Sequence, residues 1–123
     1  MVIETLMLAQ VLVAVDVAEP EGDLYVQLCS RATFMQSECE HRSIKPAAPR
    51  VEFTFDDVAP GSWAVMAWRD PEGDGEMATR IFGIPAEPTA IYGDPRAFLG
   101  PPSFEASAVM IDDAPRRFEM AID

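Results

Sequence analysis

Residues 51–68 read VEFTFDDVAPGSWAVMAW, and this stretch decides the fold class. In its first half, Val51, Phe53 and Phe55 alternate with polar residues, which is typical of a β-strand with one buried face. Pro60-Gly61 follows as a turn, with glycine at the position where a type II turn requires a positive φ. Residues 63–68 are apolar on both faces and predict a central strand. The stretch therefore predicts two strands joined by a tight turn.

The same alternating pattern recurs on both sides of this stretch. Residues 11–17 carry valine at every second position, and residues 24–28 predict a second strand after a turn. Residues 104–111 and 117–122 predict two more strands near the end of the chain. Short strands separated by turns are typical of a β-sandwich. We therefore expect residues 1–123 to form a single all-β domain, a sandwich of about seven strands.

One long stretch interrupts the regular spacing of strands. Residues 71–102 hold six of the 11 prolines and five of the 7 glycines. A connection of this length is uncommon in a compact domain, and it is usually either functional or disordered. Apolar residues such as Ile81, Phe82 and Tyr92 favour order, because they can anchor a loop against a core. We therefore expect one long, ordered, Pro/Gly-rich loop over residues 70–103.

The charge of the chain restricts its partners. The formal net charge is −12, from 21 acidic and 9 basic residues. Nucleic acid is excluded as a partner, because phosphate binding requires clustered Lys and Arg, and an anionic membrane surface is disfavoured for the same reason. No apolar run is long enough to predict membrane insertion. Cations or a basic partner are the ligands that this charge favours. The expected partner is a divalent cation or a protein or glycan ligand.

The first 17 residues are apolar but lack the basic segment with which a secretory signal begins. Their β-branched character predicts an early start of the first strand. The alternative is that residues 6–10 are the remnant of a trimmed signal peptide.

The two cysteines, Cys29 and Cys39, are ten positions apart. This spacing matches neither a Cys-x-x-Cys redox pair nor a zinc site. In an oxidising compartment the two residues would close a short loop as a disulfide. Two buried free thiols are the alternative.

An acidic run is the sequence feature with the clearest chemical interpretation. Carboxylates stand at alternate positions, with glycines between them: Asp70, Glu72, Asp74 and Glu76. This spacing resembles the first half of a calcium loop, in which oxygen ligands converge around a sharp glycine turn. The pattern is incomplete, because Ile81 stands where such a loop places its bidentate Glu. The run is interpreted either as a solvated acidic loop, which is the usual role of such a charge run, or as a calcium site at these four residues.

Catalytic residues are sparse. His41 is the only histidine, no serine lies in a nucleophile elbow, and His41 is expected on the surface. A carbohydrate-active enzyme would use loop carboxylates, with Glu87 or Glu105 beside Asp70. Four aromatic residues could stack on a sugar in such an enzyme: Trp63, Trp68, Tyr92 and Phe104. The two tryptophans lie in the apolar strand and are expected in the core.

Four motifs, in residues 58–64, 69–77, 82–87 and 101–104, resemble in the same order the signature of the bacterial family called domain of unknown function 2141. The resemblance implies a β-sandwich of the transthyretin or immunoglobulin-like kind, exported in Gram-negative bacteria, with no established activity. Arg69 stands where the family has His, and Ala78 stands where it has an Asp. The departure at Ala78 weakens the calcium interpretation. Arg69 or Arg80 would instead neutralise the acidic run through ion pairs.

The sequence as a whole predicts a non-enzymatic, exported binding or envelope-associated structural domain, periplasmic or secreted, whose signal peptide has been removed. A calcium ion bound by the acidic run would stabilise it. The carbohydrate-active enzyme is one alternative. A purely structural homodimer, formed by pairing of exposed strand edges without metal, is the other.

Overall fold

Eight β-strands and one helical turn make up the regular structure of residues 8–34, 39–71, 89–92, 104–112 and 114–122, which are those that the computed structural model describes. In chain order they are β1 (Ala9–Val17), β2 (Asp23–Cys29), β3 (His41–Pro46), β4 (Arg50–Val58), β5 (Gly61–Asp70), β6 (Thr89–Ile91), α1 (Phe104–Ser107), β7 (Val109–Ile111) and β8 (Arg116–Ile122). The predicted all-β class is confirmed, with one strand more than the expected seven or so.

The strands form two sheets that enclose one hydrophobic core. The first has three strands in the order β4-β1-β8, with β1 and β8 parallel. The second has five strands in the order β3-β2-β5-β6, with β7 paired to the first residues of β5. Residues from both sheets meet in one buried cluster. This two-layer arrangement is that of a β-sandwich.

The alternating residues of β1 and β4 supply one wall of this core. Val11, Val13 and Val15 are fully buried, and they face Phe53 and Phe55 across the antiparallel pair of β1 and β4. The intervening residues of β4 are exposed. The sequence pattern of period two therefore identified the buried face of these strands correctly.

The central strands β2 and β5 are buried on both faces. Residues 63–68 of β5 are all buried, as their apolar run predicted. On the outer face of the sheet, the rings of Tyr25 and Trp68 stack with centroids 4.1 Å apart. Cys29, Met66 and Ile91 form a second small apolar cluster on the same face. The centre of the five-stranded sheet, at β2 and β5, therefore has no solvated face.

Two stretches differ from their predicted structure. The strand predicted over residues 104–111 begins only at Val109, because residues 104–107 form the helical turn α1, closed by a bond of 2.8 Å from the Ala108 amide to the Phe104 carbonyl. Glu and Ala in this turn favour helix over strand. Strand β6 lies inside the stretch predicted as one loop; most of that stretch lies outside the described residues, so its order stays a prediction. No helix among the described residues is long and apolar enough to cross a membrane.

The outer face of the three-stranded sheet is charged. Arg50 on β4 bridges Asp16 on β1 and Glu119 on β8, each at 2.8 Å. Arg117 on β8 reaches back to Glu52 on β4 at 3.4 Å. The hydrogen bond from Arg50 lowers the pKa of the Glu119 carboxyl. These cross-strand pairs are exposed, so each contributes little to stability, but together they keep this face polar.

A close approach of two backbones fixes the end of the sandwich at the turn between β1 and β2. Gly22 in this turn has a φ of 72°. A Cβ atom on Gly22 would lie 2.0 Å from the carbonyl oxygen of Asp70, the last residue of β5. Only glycine fits this position, since both the backbone conformation and the space exclude a side chain.

We predict that Gly22→Ala lowers the free energy of unfolding by about 3 kcal/mol, because the substitution adds a clash with the Asp70 backbone to the strain of a positive φ. Gly61→Ala is the matched control: Gly61 has a φ of 145°, but its Cβ would meet nothing within 4 Å. Its cost should be smaller, about 1–2 kcal/mol, because backbone strain is then the only penalty. Urea unfolding of both variants measures the difference, and equal losses would contradict the close approach.

Candidate functional site

The first residue of the predicted calcium site lies in the sheet. Asp70 is the last residue of β5, pairs in register with Asp23 on β2, and is fully buried. Glu72, Asp74 and Glu76 lie outside the described residues. Among the described residues, no three His, Cys, Asp or Glu side chains form a group that could hold a metal ion. The four-residue ligand set therefore stays a prediction, with Asp70 as its buried starting point.

Arg69, beside Asp70, connects β5 to the turn between β1 and β2. Its guanidinium is nearly buried, and Nη1 donates to the Glu21 carbonyl at 3.4 Å. Nη2 lies 3.7 Å from Oε2 of Glu19. One contact of Arg69 is therefore an ion pair with Glu19 in the turn between β1 and β2. This ion pair and the close packing at Gly22 both hold the turn against the end of β5.

The other end of β2 carries the predicted disulfide. Cys29 and Cys39 are bonded, with their Cα atoms 4.8 Å apart, which is within the usual range. The Cys29 sulfur is buried, 3.8 Å from the thioether sulfur of Met66 on β5. The disulfide therefore joins the end of β2 to the segment that leads into β3, and the alternative of two free thiols is excluded.

A hydrogen-bond cluster lies directly beside the disulfide. The Glu40 carboxylate accepts bonds from the Ser30 and Thr33 hydroxyls and from the Ser30 amide. Desolvation by itself would raise the pKa of the Glu40 carboxyl, but these bonds outweigh it and lower the pKa to about 2. Residues 30 and 40 each follow a bonded cysteine in the sequence. The cluster thus holds together the same two segments that the disulfide links.

The side chains of His41 and Lys45 on β3 cover the open side of the sandwich, which is the gap between β3 and β4, the edge strands of the two sheets. The His41 ring packs edge-on against Trp63, with centroids 5.3 Å apart, and against Phe55 at 6.2 Å. Burial lowers the pKa of His41, and the nearby Glu40 charge partly opposes that effect. Lys45 lies over the Phe53 ring and donates to the Glu52 carbonyl at 2.6 Å. His41 is therefore half-buried, where the sequence predicted a surface position.

The aromatic residues considered for sugar stacking are used inside the fold. Trp63, Trp68 and Phe104 are buried. Tyr92 packs edge-on against Phe118, with centroids 4.8 Å apart. Three of these four rings are therefore buried, and Tyr92 is half-buried against the core.

The carboxylates considered for catalysis give no pair in the described residues. Glu105 is exposed on α1 and forms an ion pair with Arg31, and this pairing lowers the pKa of its carboxyl. Glu87 lies outside the described residues. An ionised, surface-paired Glu105 lacks the raised pKa that a glycosidase acid requires.

Sequence reasoning missed strand β3. Its residues do not alternate between apolar and polar types, so no strand pattern marks them. A charge signal was available, however. Residues 41–50 contain Arg42, Lys45 and Arg50 and no acidic residue, in a chain with 21 acids. This local change of charge sets residues 41–50 apart from their surroundings, but it does not predict a strand.

Comparison with known proteins places most of the chain in one family. A family model described as an uncharacterized protein conserved in bacteria (DUF2141) matches residues 13–119. The matched region contains both cysteines, the acidic run and all strands from β2 to β7. No curated protein and no solved structure matches the chain.

We predict that Glu40→Gln lowers the free energy of unfolding by about 1 kcal/mol at pH 7, a value reduced for the exposure of this side chain. The folded-state pKa of about 2 lies below the ordinary value of 4.5 for a glutamate carboxyl. The contribution of Glu40 is therefore complete above pH 4.5 and is lost as the pH falls towards 2. Urea unfolding at pH 7 and pH 3 measures this loss.

The matched control is Glu21→Gln in the exposed turn between β1 and β2. Its stability should stay within about 0.5 kcal/mol of the parent at both pH values. A Glu40→Gln deficit that is the same at pH 7 and pH 3 would show that hydrogen bonds to the ionised carboxylate do not stabilise the fold.

Proposed function

Because the chain belongs to the bacterial DUF2141 family, we propose that it is an exported, non-enzymatic β-sandwich that serves as a binding or envelope-associated structural domain, in the periplasm or outside the cell. The Cys29–Cys39 disulfide carries this proposal. Disulfides persist in oxidising compartments and are rare in the bacterial cytosol. The chain has only these two cysteines, so the bond leaves no thiol over.

The use of the polar side chains supports a non-enzymatic role. Glu40 accepts hydrogen bonds beside the disulfide, Arg69 contacts the turn between β1 and β2, and Lys45 closes the open side of the sandwich. Each of these groups connects two segments of the fold. Such contacts hold the strands and turns in fixed positions. A rigid scaffold with fixed loops is what a binding domain requires.

Thiol trapping in bacterial cells that make the protein tests the exported location. We predict that a maleimide reagent, applied after the cells are acid-quenched and their proteins denatured, adds no mass to the protein until a reductant is applied, after which two cysteines react. The Cys29→Ser and Cys39→Ser variants each leave one thiol and control for access of the reagent. The proposal fails if the protein fractionates with the cytosol and both of its thiols react without reduction.

Calcium binding by the acidic run is the second part of the proposal. Asp70, Glu72, Asp74 and Glu76 offer the hard carboxylate oxygens that calcium prefers. Asp70 is fixed by its place in β5 and its packing against Gly22, so the run starts from a rigid point. A bound ion would neutralise charges that otherwise repel one another in a chain of net charge −12.

A thermal-shift titration tests the calcium site. For an affinity in the millimolar range, 10 mM calcium should raise the melting temperature by about 3–6 °C. Asp74→Asn should abolish this gain, because it removes a charged ligand. Asp57→Asn is the matched control, since Asp57 is exposed and has a φ of 61°, which Asn also tolerates. No calcium-dependent gain in the parent protein would refute the metal site but not the exported location.

A further inference from the structure

The two sulfurs of the Cys29–Cys39 disulfide differ in their access to solvent. Cys29 is fully buried, and Met66 and Ile91 belong to the same small apolar cluster on the outer face of the five-stranded sheet. Cys39 packs against this cluster and is partly exposed. An external reagent therefore reaches the Cys39 sulfur more readily than the Cys29 sulfur.

The two cysteines also differ in how the backbone holds them. Cys29 is the last residue of β2 and pairs with Ala64 on the central strand β5. Cys39 lies outside the ladder of β2 and β3, in which Leu28–His41 is the pair nearest to the disulfide. An opening that exposes Cys29 has to break the pairing of β2 with β5, whereas Cys39 needs no such opening. Because thiol–disulfide exchange depends on access to the sulfur, it favours Cys39.

We propose that Cys39 is the exchange site of this disulfide, the residue that forms a mixed disulfide with an external oxidant when the bond is made. The oxidant is a compound that itself carries a reactive disulfide, either a small molecule or a protein. This inference rests on the exported location proposed above and deepens it, because it assigns the step by which an exported chain acquires its bond.

The two steps of the exchange balance in atoms and electrons. The Cys39 thiol loses its proton, and its sulfur attacks one sulfur of the oxidant's disulfide, which breaks and releases a first thiolate. The Cys29 thiol then loses its proton, and its sulfur attacks Sγ of Cys39, which releases the other half of the oxidant as a second thiolate. The two thiolates take up the two protons. The chain is thereby oxidised to one disulfide, and the oxidant is reduced to two thiols.

Hydrogen bonds beside the disulfide keep Cys39 in place for the second step. The Glu40 carboxylate accepts a bond of 3.2 Å from the amide of Ser30, the residue after Cys29. The Cys39 amide donates to Oε1 of the buried Gln27 at 3.3 Å. Neither bond uses a sulfur atom, so both would hold Cys39 beside the end of β2 while its sulfur carries the oxidant. The mixed disulfide therefore stays within reach of Cys29, which makes the second step intramolecular.

The test compares two single-cysteine variants of the whole chain, with glutathione disulfide as the probe. Only Cys39 remains in Cys29→Ser, and only Cys29 remains in Cys39→Ser. Under native conditions Cys29→Ser should form its glutathione adduct about tenfold faster, because Cys39 needs no local opening. In concentrated urea the two rates should agree within about a factor of two, since burial no longer separates the thiols. Mass spectrometry of acid-quenched samples measures the rates.

A measurement on the parent chain covers a variant that does not fold. The disulfide-bonded protein is treated with reduced glutathione, quenched with acid, denatured and alkylated with a maleimide. Exchange in this direction passes through the same mixed disulfide. Molecules with one glutathione and one maleimide should carry the glutathione on Cys39. Trypsin cleavage after Arg31 places the two cysteines on different peptides, so mass spectrometry assigns each adduct.

A further arm distinguishes a small oxidant from a protein oxidant. A thiol–disulfide oxidoreductase that retains one active-site cysteine, activated as a mixed disulfide with an aromatic thiol, replaces glutathione disulfide at the same concentration. Faster trapping on Cys39 than with glutathione disulfide supports the exchange site with a protein oxidant, and slower trapping on Cys39 supports it with a small one.

Two results would overturn the inference. The first is that native Cys29→Ser and Cys39→Ser form adducts equally fast, and the second is that the glutathione on the parent chain is found mainly on Cys29. Neither result would change the oxidation state that thiol trapping in cells reports. The exported location and the exchange site are therefore tested separately.

Discussion

Strand β5 is the element on which the rest of the structure depends. It pairs with β2, β6 and β7, and from Trp63 to Asp70 every residue is buried. Its inward side chains join the core between the sheets, while its outward side chains form the Tyr25–Trp68 stack and the cluster around Met66. A strand buried on both faces tolerates polar groups only where they have partners. Arg69 and Asp70, at its end, both have such partners.

The sequence predicted burial best in strands whose buried residues recur at every second position. In β4 one face is exposed and the other is buried, and in β1 the valines at every second position are buried, so alternation alone identified the inward residues of both strands. The apolar run of β5 likewise predicted a central position. In β2, Tyr25 and Gln27 alternate with aliphatic residues, yet they are buried as well. Their burial depends on what covers the outer face, and local periodicity does not encode that.

The remaining elements form through contacts with distant residues. Strand β3 lacks an apolar pattern and is held by its register with β2 and by His41 packing on aromatic residues of β4 and β5. Strand β6 has only three residues, yet it pairs with β5 inside a stretch rich in Pro and Gly. Of the candidate site, the sequence supplied the disulfide pair and the acidic run. It did not indicate that Asp70 is the buried end of a strand, since only the pairing with Asp23 reveals it.

The two ends of the β2–β5 pair are stabilised by different means. Asp23 pairs with Asp70 at the acidic end, and Cys29 pairs with Ala64 at the disulfide end. Six residue steps separate these ends, which is about 20 Å along a strand. At that distance exposed charges are screened by physiological salt, so calcium at one end would not alter the electrostatics beside Glu40 at the other.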